Sequence, residues 1–187
     1  MGAGIAAAAI AAVPALIAPA GGEAATPTQA EALAGALGVE QLAVFCYRHA
    51  LTSGTLGPLA SALANAFLVQ EQAHAAALQA RARTLGVAIP PPPADVTAAD
   101  RALEALHVRD LSTARTQKHL IALLETLEEV SEGTYYVLLG ATGEAALLEL
   151  AAQIMGNEAQ HAMSLRALMT PRDVMKIVPS AFAEGRH

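Results

Sequence analysis

The chain has 187 residues, enough for one sizeable core and too few for two independent domains to be the default. Ala and Leu dominate, aromatic residues make up 3 % and Trp is absent, a composition that favours helices packed closely through small side chains over sheets. The net charge is -6 and the basic residues are scattered, Arg81, Arg83 and Arg109 among them, which excludes the electrostatic footprint that nucleic-acid binding needs.

Residues 1–25 differ from the rest. Met1 to Ala20 is nearly all Ala, Ile, Val and Gly, is broken by Pro14, and ends in Ala18-Pro19-Ala20, a small-x-small pattern like an export cleavage site. The stretch is short for a membrane span and carries a proline, so no stable span is expected. The basic region that normally precedes such a segment is missing. Two accounts follow: a truncated signal peptide, with Gly21 opening a mature chain exported to the periplasm, cell envelope or extracellular space, or an Ala-rich arm on a cytoplasmic protein. The single cysteine, Cys46, cannot form an internal disulfide and is expected to be a small packing residue.

After Thr26-Pro27-Thr28, Leu33, Leu37, Glu40, Val44, Tyr47 and Leu51 alternate at spacings of three and four, predicting a helix over 28–52. Thr52-Ser53-Gly54 closes it. Gly57-Pro58 opens a second helix, which runs to Leu85 with Gly86 as its C-cap. Ile89 and the prolines Pro90 to Pro93 form a stiff extended spacer, and a weak helix from Ala98 to His107 follows it, beginning after Thr97. The third long helix is expected from Ser112 to Leu139, stopping at Gly140. The fourth runs from Gly143-Glu144 to Thr170-Pro171. The division is therefore a signal-like or Ala-rich segment at 1–25, a bundle at 26–170 and a weakly helical tail at 171–187. Short links between helices one and two and between three and four force antiparallel neighbours, and the long link between two and three is the single crossover of ferritin-like bundles.

Charge interrupts the apolar faces at matching places. In helix four, Leu147, Ala151, Ile154, Glu158, His161, Leu165 and Leu168 share one face; in helix two, Leu63, Phe67, Glu71, His74, Leu78 and Leu85 do. Each Glu-x-x-His therefore points inward, where two residues three apart can grip one ion. Helices one and three supply Glu40 and Glu128, each followed seven residues later by tyrosine, Tyr47 and Tyr135. The chain thus holds two similar halves, with 31 residues from Glu40 to Glu71 and 30 from Glu128 to Glu158. Unpaired carboxylates in a core cost several kcal/mol even after relaxation, so a counter-charge is required. Two divalent cations would balance four carboxylates, and one Glu from each of two helices plus Glu-x-x-His from each of the other two is the donor set of di-iron and di-manganese bundles. Among the helix-three glutamates Glu125, Glu128, Glu129 and Glu132, the spacing to Tyr135 and Glu158 favours Glu128, with Glu132 as an extra ligand. His49, His107 and His119 fall at helix ends or in the crossover, and Phe45, Phe67 and Phe182 are expected to be packing residues.

On these residues the chain resembles the ferritin-like superfamily over 28–169 and is similar to exported bacterial ferritin-like and desiccation-related proteins. The resemblance implies an all-α, ferritin-like antiparallel four-helix bundle. It further implies that Glu71 and Glu158 bridge two metals, that Glu40 and Glu128 bind one metal each, and that His74 and His161 each ligate one through a ring nitrogen. Tyr47 and Tyr135 would orient carboxylates or pass electrons. The implied cofactors are two iron ions, or manganese or a mixed Mn/Fe pair, with O2 or peroxide as partners in ferroxidase- or peroxidase-like chemistry. A non-catalytic, metal-stabilised structural or stress protein is the alternative. The proline-rich crossover argues against a 24-subunit cage and leaves a smaller homo-oligomer open.

Overall fold

The computed structural model describes residues 26–178 and Gly185. The readings placed on residues 1–25 and on most of the tail beyond Val178 lie outside the described residues.

Four long helices make the bundle: α1 (Gln29–Thr52), α2 (Pro58–Leu85), α4 (Gln117–Ala141) and α5 (Ala145–Met169). Between α2 and α4 lie a short helix, α3 (Val96–Ala105), and a 3-10 turn (Leu111–Thr113); a four-residue helix, α6 (Val174–Ile177), follows α5. Among the described residues there is no strand, and no helix is long and apolar enough to cross a membrane.

Local chemistry sets the boundaries. Thr28 and Glu31 form a reciprocal capping box at the start of α1. Pro58 occupies the first turn of α2, where its missing N–H costs nothing, and Gly86 closes the helix with φ 67, a left-handed conformation that glycine adopts without Cβ strain. Two starts differ from the sequence expectation. The crossover helix begins at Val96 rather than after Thr97, because the Asp95 carboxylate accepts from the Ala98 N–H at 2.7 Å. The third long helix begins at Gln117 rather than Ser112: Leu111 and Ser112 donate their N–H groups to Asp100, the chain makes a 3-10 turn, and Thr116 then caps the true start through the His119 N–H. At its far end α4 continues through Gly140 to Ala141, one glycine being a cost of only about 1 kcal/mol in a helix.

Side-chain contacts fix the topology. Tyr47 meets Glu128 and Tyr135 meets Glu40, so α1 and α4 run antiparallel; Glu71 faces His161 and His74 faces Glu158, so α2 and α5 do as well. Packing is dense between α1 and α2, α4 and α5, and α1 and α4, and sparsest between α2 and α5, which close the ring. The apolar core falls into two clusters. One contains Leu42, Phe67, Leu103, Leu124, Leu127 and Leu165; the other contains Leu33, Leu37, Leu78, Leu138, Leu147 and Ile154. Cys46 is fully buried in the first, where desolvation pushes its thiol pKa up, as befits a packing residue.

Candidate metal centre

A layer of charge sits in this core. Glu40, Glu71, Glu128, Glu158 and His161 are each no more than 1 % exposed, and His74 joins them with an 11 % exposed side chain. The helical period explains the placement, since all six stand where an apolar residue would otherwise continue the stripe.

The donor atoms divide into two sets. His74 Nδ1 lies 2.9 Å from Glu158 Oε1, 3.5 Å from Glu40 Oε2 and 3.8 Å from Glu71 Oε2. His161 Nδ1 lies 2.9 Å from Glu71 Oε1, 3.6 Å from Glu128 Oε2 and 4.0 Å from Glu158 Oε2. Each set of four ligand atoms fits within 4.8 Å. Glu71 and Glu158 belong to both sets, turning one oxygen toward each imidazole. All eight of these atoms are buried without a hydrogen-bond partner, a clustering that native cores avoid unless a further group is held there. Four oxygens-or-nitrogens per set, mostly carboxylate, suit iron, manganese and similar divalent cations.

The remaining oxygens are accounted for. Tyr47 donates its hydroxyl to Glu128 Oε1 and Tyr135 donates to Glu40 Oε1, each reaching across from the other half of the chain; Ser131 Oγ lies 3.4 Å from the same Glu40 oxygen. Burial, then the charge of neighbouring carboxylates, Glu128 for Tyr47 and Glu40 for Tyr135, hold both phenols well above their ordinary pKa, so they stay protonated donors. His161 Nε2 is 2.5 Å from Gln70 Oε1; an N–H there leaves Nδ1 as the ring atom turned to the carboxylates, able to ligate a cation once it gives up its proton. Phe67 stacks on the same ring at 3.9 Å and meets Tyr47 edge-on at 6.2 Å.

Without a cation, protons carry the counter-charge. Burial, reinforced by the negative charge of Glu71, raises Glu40 to about 8. Glu158 is driven well above its ordinary value by burial and by the charges of Glu40, Glu71 and Glu128. Burial would also raise Glu71, but the nearby imidazoles of His161 and His74 and the Glu40 carboxyl outweigh it and hold that carboxyl down at about 2. Burial disfavours the imidazolium forms, yet Glu40 and Glu71 lift His74 to about 10, and Glu128 and Glu71 lift His161 to about 9.

Other candidates fall elsewhere. Glu125 and Glu129 hold Arg166, with Arg166 Nε 2.9 Å from Glu125 and Nη2 2.6 Å from Glu129. Glu132 is buried, and burial raises its carboxyl, but it belongs to neither ligand set. His49, His107 and His119 also lie outside both. No spacing or motif marks Gln70 or Ser131, whose contacts come from helices remote in the chain. Phe67 was visible only as a packing residue, although its place four before Glu71 puts it on the ligand face.

No curated protein and no solved structure matches the chain. The family profile described as a ferritin-like domain matches residues 28–171, which spans all four long helices and all six converging residues. The chain therefore belongs to the ferritin-like domain family.

Proposed function

We propose that this protein is a dinuclear metal carboxylate protein that reacts with O2 or peroxide, with ferroxidase- or peroxidase-like oxidoreductase chemistry. The observation that carries the reading is the division of eight unpartnered buried donor atoms into two four-atom sets that share Glu71 and Glu158. Glu40 and His74 would complete one half, Glu128 and His161 the other. Two iron ions, or manganese or a mixed pair, would supply the electrons for reducing the oxidant. The chain's own part is to neutralise the ions with four carboxylates, hold Glu40 and Glu128 in place through the Tyr135 and Tyr47 hydroxyls, fix the His161 ring through Gln70, and exclude bulk water with the flanking apolar clusters. Export belongs to the same proposal and rests on the composition of residues 1–25.

Anaerobic protein loaded with Fe(II) and mixed with O2 or peroxide should form ferric product faster than Fe(II) in buffer, by absorbance in a stopped-flow instrument. The Glu71→Ala/Glu158→Ala variant should fall to the buffer rate. Buffer-like rates with both oxidants would remove the redox reading. They would favour a metal-stabilised structural or desiccation-related protein, a role that suits ligands tying all four long helices together at mid-core.

A further inference from the structure

The two halves of the centre are alike in ligands and unlike in their walls. On α2, Phe67 stands four residues before Glu71 and Gln70 one before it; on α5 the same offsets from Glu158 hold Ile154 and Asn157. Phe67 and Gln70 close over His161, one by stacking and one by a hydrogen bond, and the residue is 1 % exposed. Ile154 has no ring to stack on His74, and Asn157, one methylene shorter than glutamine, makes no hydrogen bond to it. His74 instead lines an open groove of about 360 Å³ between α2 and α5, with Ile154, Asn157, Gln153, Ala73 and Ala77 around it. The small α2 residues widen this side: the positions equivalent to Ala73 and Ala77 on α5 carry Gln160 and Ser164. The groove opens where the bundle is most sparsely packed.

We infer that small exogenous ligands of the peroxide class reach the centre through this groove and bind at the His74 half, while Phe67 and Gln70 seal the His161 half. The inference rests on the dinuclear reading above. The groove carries an imidazole whose Nδ1 faces the ligand set, two side-chain amides able to hydrogen-bond a small polar ligand, and an apolar floor. The residues that confine binding to one side are Ile154 and Asn157. Neither belongs to a ligand set, and both act by leaving space.

The test uses the Co(II)-loaded full chain titrated with azide, a linear anion that stands in for peroxide, with visible absorption as the readout. Installing the sealing pair, Ile154→Phe/Asn157→Gln, should keep about two Co(II) per chain and weaken azide binding by at least about tenfold. Should that variant misfold, Ala73→Gln/Ala77→Ser narrows the groove from its more exposed wall and should weaken azide in the same direction. Bound Co(II) with unchanged azide affinity in the folded variants would overturn the one-sided route and leave the dinuclear reading intact. Absence of bound Co(II) in the unsubstituted protein would overturn both.

Discussion

Metal-free protein loaded with Mn(II), or with Fe(II) under anaerobic conditions, is expected to melt roughly 10–20 °C higher than without metal. A ligand present at about 100 times its Kd that binds only the folded state stabilises it by about 2.7 kcal/mol, so two sites contribute about 5 kcal/mol. Chains of roughly this length gain about 2–4 °C per kcal/mol. The physical source of the effect is the layer of donors between two apolar clusters: Glu40, Glu71, Glu128 and Glu158 come from four different helices, and a bound pair of cations would tie all four. Calorimetry with and without chelator measures the shift. The Glu71→Ala/Glu158→Ala variant should show none, because each of those residues serves both ligand sets. Equal melting temperatures with and without metal in the unsubstituted protein would show that the layer is stabilised by protons alone.

The second large effect is proton release. Near pH 7 the metal-free layer holds an extra proton on each of Glu40, His74 and His161, whose pKa values lie above that pH, and burial with its carboxylate neighbours shifts Glu158 in the same direction. Ligands must deprotonate to bind metal, so loading should release at least about three protons per chain. Titration calorimetry in buffers of different ionisation enthalpy reads that number; a value near zero would contradict the proton-filled layer.

The same shifts give the metal-free protein a characteristic pH profile. The two histidines bind protons more tightly folded than unfolded, so their contribution is full below about 6.5 and is lost as pH rises through about 9 for His161 and about 10 for His74. Glu40, raised to about 8, also favours the folded state at lower pH, losing that contribution between about 4.5 and 8. Glu71 works oppositely: its carboxyl is held at about 2, so its contribution is present above about 4.5 and lost as pH falls toward 2. Metal-free stability should therefore decline from mildly acidic to alkaline pH, while the gain from metal grows over the same range.

Much of this is legible in the sequence alone. The three-and-four spacing of Leu, Glu and His placed both Glu-x-x-His pairs on inward faces, because a helix repeats its faces at that period whatever the surrounding alanine content. The spacing to Tyr135 and Glu158 favours Glu128 among four nearby glutamates; the structure places it in one of the two donor clusters and turns Glu125 and Glu129 to Arg166. The starts of α3 and α4 differ from the periodic expectation because Asp95, Asp100 and Thr116 capture backbone N–H groups, a competition that periodicity does not register. The crossed pairing of Tyr47 with Glu128 and Tyr135 with Glu40 depends on α1 and α4 lying antiparallel side by side. Gln70 was illegible for the same reason: its partner, His161, is 91 residues away along the chain.

Elemental analysis of the purified chain after anaerobic Fe(II) or Mn(II) loading and desalting, beside the Glu71→Ala/Glu158→Ala variant, tests the central claim most directly. About two ions per chain in the unsubstituted protein, lost in the variant, is the result expected of a centre with two bridging carboxylates. No retained metal, or the same amount in both proteins, would contradict it.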